Sequence, residues 1–249
     1  MIRIIGNIYA TKDLPLVYVS DLRALVLSDL HLGYEEEMSE KGIFLPKMQL
    51  KRILTIIDEA LKEFKVEKII LNGDIKHSFS SIRRTESEDL KIFLNKCEAL
   101  GLDVIAIRGN HDNYLKNVLA RFPRVKFYEN YYEEGEYVFT HGHQKIDKQL
   151  SETKLIIGHE HPRITIRSRI SNFKAACFFL VPYKNMDMVV LPASGYYQSG
   201  SDIIPNSVSY LSPYLKENDR VKEGKPFIII ENYGILEMPP LYSIENLLI

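Results

Sequence analysis

An α/β fold is predicted for this chain on three observations. Short β-rich runs alternate with amphipathic helical stretches as far as Phe122. Beyond that point nearly every apolar run reads as a strand. The side chains able to bind a metal fall at or just past the C-terminal ends of predicted strands, where open α/β sheets place their ligands.

The elements follow in order. Residues 23–28 read as a buried strand, with Asp29 just past its end. Pro46 opens a helix, since proline suits the first helical position. Its apolar residues Leu50, Ile53, Leu54, Ile57, Leu61 and Phe64 recur at three- and four-residue steps and give one buried face. Residues 68–71 form the next strand, which ends in Asn72-Gly73-Asp74. Thr85 and Glu88 make a capping-box pattern that starts a second helix through Leu90, Phe93, Leu94 and Cys97. Residues 103–107 are a third strand, ending at Gly109-Asn110-His111-Asp112, and a short helix follows to about Phe122. Strands are then expected at 125–128, 137–140, 154–157, 164–170, 177–181, 188–191 and 227–230. Residues 196–223, rich in Gly, Ser, Pro, Asn and Asp, read as a long irregular excursion, and loops of that length are usually functional or mobile.

A chain of 249 residues holds one large α/β domain or two small ones. Its 32 basic and 33 acidic residues nearly cancel, so no global field draws it to nucleic acid or an acidic membrane, and any basic surface must be local. Cys97 and Cys177 lie in apolar surroundings without CxxC partners. They read as buried free thiols, not as a disulfide framework or zinc ligands. The N-terminus lacks the apolar core of a signal peptide. The densest apolar run, 175–182, falls far short of the roughly 20 residues that span a bilayer. A cytoplasmic protein with no membrane segment is expected.

The chain has 7 histidines, and each sits in a short motif beside Asp, Asn, Gly or Ser: His31 in SDLHLG, His77 in GDIKHS, His111 in GNHD, His141 and His143 in THGHQ, His159 and His161 in GHEH. Two divalent cations need oxygen and nitrogen ligands, one of which can bridge them. Asp29 and His31 can bind one ion from a single loop. Asp74 has two carboxylate oxygens and can bridge. Asn110 offers a neutral carbonyl oxygen, and His141, His159 and His161 offer imidazole nitrogens. That set leaves open positions for water and substrate, as a catalytic site requires. Two divalent ions outweigh the two carboxylates, so the site would attract an anionic phosphate. They would also lower the pKa of bound water towards about 7, which supplies a hydroxide nucleophile at neutral pH.

The motifs DLH, GD, GNHD, THGH and GHEH, in this order, resemble those of the calcineurin-like metallophosphoesterases. The resemblance runs from Asp29 to His161 and covers most of the chain. It implies a four-layer αββα sandwich of two mixed β-sheets flanked by helices. It implies one domain over residues 1–249, with 193–249 as a β-rich extension packed on the same core and no separate capping domain. It implies Asp29, His31, Asp74 and His161 as ligands of the first metal, and Asp74, Asn110, His141 and His159 as ligands of the second. His111 would contact the scissile phosphate and protonate the leaving oxygen, with Asp112 orienting it through a hydrogen bond. Manganese is the expected metal, with iron, zinc, nickel and cobalt as alternatives.

GDIKHS resembles the GD-x-x-H segment of the SbcD-like repair nucleases, in which that histidine lines the active site, so His77 joins the candidate catalytic residues. SDLHLGYE and GHEHP resemble a group of short archaeal SbcD-related phosphoesterases. From His161 to Met186 there are five basic residues and no acid, and Arg163, Arg167 and Arg169 stand at even steps, so on a strand they would share one face able to track a nucleic-acid backbone. His143 is a weaker candidate for substrate contact. Arg83-Arg84 adds a second basic spot. The expectation is therefore a phosphodiesterase or nuclease acting on DNA, RNA or nucleotides. A phosphomonoesterase or a nucleotide pyrophosphatase is the alternative, and a non-catalytic scaffold is a distant one. A lipid-pyrophosphate hydrolase shares the SDLHL opening but wants an apolar lid; Tyr196, Tyr197, Tyr210 and Tyr214 could instead stack bases. The residues after Leu191 are too few for the capping and ATPase-partner segments of the repair nucleases. A homodimer stays open, since no residue pattern marks an interface.

Overall fold

The structure, a computed structural model, describes residues 1–150, 153–167, 172–205 and 210–248. Its strands and helices are β1 (Ile2–Ile5), β2 (Ile8–Ala10), β3 (Val17–Val19), β4 (Ala24–Leu27), α1 (Tyr34–Glu40), α2 (Gln49–Glu63), β5 (Lys68–Asn72), α3 (Arg84–Ala99), β6 (Asp103–Ile107), α4 (Leu115–Leu119), β7 (Val125–Tyr128), β8 (Tyr132–Glu134), β9 (Tyr137–Thr140), β10 (Lys154–Ile157), β11 (Pro162–Ile166), β12 (Phe173–Tyr183), β13 (Met186–Val190), β14 (Ser201–Asp202), α5 (Pro213–Lys216), β15 (Lys225–Ile230), β16 (Gly234–Glu237) and α6 (Leu241–Ile244).

Both sheets are mixed. The first runs β1-β2-β3-β4-β5-β6-β7, antiparallel as far as β4 and parallel from β4 to β7. The second runs β14-β11-β12-β13-β10-β9-β8, with β15 and β16 added beside β12; within it β9, β10 and β13 are parallel. Alternation along the strands assigns the layers. Leu25, Leu27, Ile69 and Leu71 face α2 and α3 through Ile53, Ile57, Leu90 and Phe93. Ala24, Val26, Ile70 and Ile105 face the second sheet through Phe139, Ile156, Phe178 and Phe227. The far side of the second sheet packs Leu155, Ile157 and Phe179 against Tyr214, Leu215, Leu241 and Ile244. The order is helices, sheet, sheet, short helices. Because these strands are covered on both faces, they read as unbroken apolar runs.

Several expectations change. The second helix begins at Gln49, not Pro46, because its cap comes from a distance: Glu35 Oε1 accepts the backbone N–H of Met48 and of Gln49, both at 2.8 Å. The start of α3 is capped by Glu86, whose carboxylate accepts the Arg83 N–H at 2.8 Å, while Glu88 pairs on the surface with Arg84. Thr85 and Glu88 are therefore not the capping pair. The expected strand at 164–170 is β11, which begins earlier and ends at Ile166; residues 168–171 lie outside the described ones. No helix among the described residues is long and apolar enough to cross a membrane.

Candidate metal centre

Five loops leave parallel strands on one edge of the two sheets. Asp29 follows β4, Asp74 follows β5, Asn110 follows β6, His141 follows β9 and His159 follows β10. The loops after β4 and β5 zip together. Asp29 N–H donates to the Gly73 carbonyl (3.0 Å), His31 N–H to that of Asp74 (2.9 Å), and Leu32 N–H to that of Ile75 (3.0 Å). The sheets are joined behind the site by Asn72 Nδ2, which donates to the Ile156 carbonyl at 3.2 Å.

Backbone strain concentrates here. Asp29, His31, Asp74, His159 and His161 all have left-handed φ, between 45° and 67°. Such conformations cost free energy in a residue with a Cβ and persist only where the surroundings enforce them. Gly73 has φ 87°, and a Cβ there would enter the His141 ring; a Cβ on Gly109 would enter Asp74. Only glycine lets these loops close to this distance.

The side chains gather into two adjoining sets. In one, Asp29, His31 and His161 place their ligand atoms within 4.8 Å of one another; in the other, Asp74, His141 and His159 do the same. Asp74 turns Oδ2 to His31 Nε2 (3.8 Å) and Oδ1 to His141 Nε2 (3.4 Å). Asn110 Oδ1 lies 3.1 Å from His141 Nε2. All seven residues proposed from the motifs are thus brought together. His31, His77 and His111 form a third close set.

The electrostatics suit cations. Burial holds the imidazole of His31 down at about 3 and that of His159 at about 4, so both are neutral at pH 7, the form that ligates. Burial would raise Asp29, but the imidazoles of His161 and His141 outweigh it and hold its carboxyl at about 2. Burial likewise opposes the charge on Asp74, and His141, His31 and His111 prevail and keep it ionised. His141 is raised to about 9, since Asp74 and Asp29 overcome its burial. Two details test whether this set fits metal. His31 Nε2 is buried with no hydrogen-bond partner. His141 Nδ1–H donates to the Asn72 carbonyl at 3.1 Å, which aims Nε2 at two oxygens that only accept. The proton that the raised pKa leaves on Nε2 satisfies those oxygens in the absence of metal, and a shared cation would take its place.

The remaining candidates divide. His111 Nδ1 hydrogen-bonds the His77 carbonyl, its N–H donates to Asp74 Oδ1 at 2.9 Å, and the half-exposed Phe79 covers its ring with centroids 3.6 Å apart. Asp112 does not orient it. Its Oδ1 accepts the N–H of Ile75 (2.9 Å) and Lys76 (3.1 Å), and its Oδ2 that of Gly109 (2.8 Å), so it clamps two loops. Burial and Asp74 push its carboxyl up to about 7. His77 sits beside the centre, with Nδ1 3.2 Å from His31 Nδ1. His143 lies beside His141 and His159, its ring tilted to the first and edge-on to the second, with Nδ1 buried and unpartnered.

The basic row is corrected. Arg163 is held in a two-pronged pair with Asp202 (2.9 and 3.0 Å), an acid 39 positions later in the chain that β14 brings alongside β11, and it also donates to the Ser199 carbonyl. Arg167 lies past the end of β11, and Arg169 is outside the described residues. Arg83 and Arg84 are neutralised by Glu40 and Glu88. Tyr210 and Tyr214 are core residues and cannot stack a base, whereas Tyr196 is half exposed.

Three buried polar residues were not singled out by the motifs. Gln49 Nε2 donates to the carbonyls of Leu30 (3.0 Å) and His31 (3.2 Å). Glu86 Oε1 accepts the Ser78 N–H at 2.6 Å, just after His77. Glu160, inside GHEH, accepts the N–H groups of Leu211 and Ser212 at 2.9 and 2.8 Å and ties the late excursion to the site.

Residues 22–191 match the family model of the calcineurin-like phosphoesterases. That family and the clustered carboxylates and imidazoles together imply divalent metal ions. The fold is similar to that in the crystal structure of Pseudomonas putida nuclease MPE, with TM-score 0.62 and 20% identity over 88% of this chain and 90% of that one. No curated protein matches the sequence.

Proposed function

The chain belongs to the calcineurin-like phosphoesterase family, a group of metal-dependent phosphoester hydrolases, and from that premise we propose a dinuclear phosphodiesterase of the SbcD-related kind, acting on nucleic acid or nucleotides. The observation that carries this reading is Asp74, one buried carboxylate with an oxygen turned to each of two imidazole sets. Asp29, His31, Asp74 and His161 would hold one cation; Asp74, Asn110, His141 and His159 would hold the other. Manganese is the proposed metal. When bound, two such ions supply Lewis-acid charge to the phosphoryl oxygens and acidify water to a nucleophile.

The chain's own residues do the rest. His31 and His159 are neutral and Asp29 is ionised at neutral pH, whereas His141, held up by Asp74 and Asp29, would release a proton on binding a cation. His111, tied through Nδ1 to the His77 carbonyl, presents Nε2 to the centre and hands a proton to the departing oxygen, while Phe79 shields its ring from water. His77, beside His31, contacts a phosphate oxygen; His143 flanks the other set. Residues 193–249 complete the same unit, since Ser194 and Gly195 donate to the Ser28 and Asp29 carbonyls.

The diester choice is supported by the GDIKH segment and by the similarity in fold to Pseudomonas putida nuclease MPE. Hydrolysis of bis(p-nitrophenyl) phosphate with manganese is the test. The Asp74→Ala variant is expected to lose at least about 100-fold in rate and to hold fewer than two ions per chain. Turnover of the monoester alone would overturn the diester choice; a purified chain that binds no divalent metal would overturn the whole reading.

A further inference from the structure

Beside His161 the surface opens into a hollow of about 200 Å³ bounded by Arg163 and Lys174. It shares Ala176, Ala193 and Gln198 with a second hollow of about 280 Å³, lined by Arg52 and Tyr196. Together they make one groove that leads away from the metal centre. One wall is the segment 193–201, and it is fastened to the metal loops. Ser194 N–H donates to the Ser28 carbonyl (2.8 Å), Gly195 N–H to that of Asp29 (3.1 Å) and Ser201 N–H to that of His161 (3.0 Å). Gln49, fully buried, adds a second tie: its Nε2 donates to Leu30 O and to Gln198 Oε1, and its Oε1 accepts the N–H groups of Tyr196 and Tyr197. The groove is therefore set in fixed register with the centre before any ligand arrives.

Its chemistry is directional. Arg163 near the centre is already spent on Asp202, which leaves Lys174 and Arg52 as the groove cations in no salt bridge among the described residues. Tyr196, 50% exposed, lines the same hollow as Arg52. Asp13 and Glu231 line the second hollow only, away from His161, where they would repel phosphate and limit the track.

We propose that this groove binds a single polynucleotide strand leading away from the scissile phosphate. Lys174 and Arg52 contact successive backbone phosphates, and Tyr196 stacks one base. The inference rests on the phosphodiesterase reading above. A lone row of cations with one ring fits one backbone and an unpaired base; a duplex keeps its base faces covered.

The test uses the full chain, freed of metal by chelation and shown folded by its thermal melt, so that binding is read without cleavage. A fluorescein-labelled single-stranded oligothymidylate of about 12 nucleotides is titrated by anisotropy. Lys174→Glu and Arg52→Glu are each expected to weaken binding about tenfold and to flatten the log–log salt dependence by about 0.7. Tyr196→Ala is expected to weaken it at least about fivefold. Where a charge reversal unfolds the chain, Lys174→Gln or Arg52→Gln carries the same prediction at smaller size. Lys184→Glu, at the other end of the same strand and about 30 Å away along it, controls for net charge. Unchanged affinity in the groove variants, an equal loss in Lys184→Glu, or equal competition by a duplex of the same length overturns the groove. The two readings separate cleanly. A wild-type chain inert towards bis(p-nitrophenyl) phosphate defeats the hydrolytic reading whatever the groove binds. Hydrolysis together with unaltered oligonucleotide binding in the variants defeats the groove alone.

Discussion

At the scale of single residues, the centre is held together by conformations that the chain does not favour. Five candidate ligand residues sit in the left-handed region, each at a cost on the order of 1–3 kcal/mol. The offsetting bonds are backbone hydrogen bonds between the loops after β4 and β5, and the clamp made by Asp112. His111 lies close to His31 but is not among the seven proposed ligands, and this separates its expected phenotype from theirs. His111→Ala should lower the rate by about 10²–10⁴ while metal content, measured on the same sample, stays as in the parent. Loss of metal together with rate would make it a ligand. The motif histidines were legible in the sequence because they fall in short polar motifs that follow apolar strands. Gln49, Glu86 and Glu160 were not, since a buried glutamine or glutamate whose partners are backbone groups of other segments looks like any solvated one.

At the scale of elements, the parallel strands β5, β6, β9 and β10 were readable almost to the residue, because both faces are covered and the apolar runs are continuous. Helix starts were not. α2 and α3 take their caps from Glu35 and Glu86, carboxylates that also bridge to neighbouring loops. The same crowding of acids around α3 predicts a pH effect. Burial, with Glu35, Glu88 and Glu36 adding and Lys47 opposing, pushes Asp89 up to about 6. A carboxyl whose folded pKa lies above its unfolded value of about 3.9 destabilises the fold once ionised. The penalty is absent below the lower value and complete above the higher one. Asp89→Asn should therefore raise stability by about 1 kcal/mol at pH 7, after allowing for solvent screening, and the gain should shrink as pH falls from 6 towards 4. Thermal melts of parent and variant across that range measure it; a gain that grows on acidification contradicts the assignment.

At the scale of the whole molecule, the centre draws loops from both sheets, and metal binding is therefore expected to stabilise the entire fold. Removing bound ions with a chelator should lower the melting temperature by roughly 5–10 °C, since saturating a site at 100 times its Kd contributes about 2.7 kcal/mol. Restoring manganese should recover it, and a melting curve indifferent to both would argue against cations shared between the sheets. From its sequence alone, this chain's fold class and the side chains that gather at the candidate metal centre were legible, because strand periodicity and motif chemistry are local properties. Only the tertiary structure decided that Arg163 is neutralised by Asp202, that Asp112 clamps backbone and leaves the His111 ring to the His77 carbonyl, and that residues 193–201 wall a groove beside His161. Those outcomes depend on pairings between segments far apart in the chain, and no spacing along a sequence encodes which buried partner reaches a side chain first.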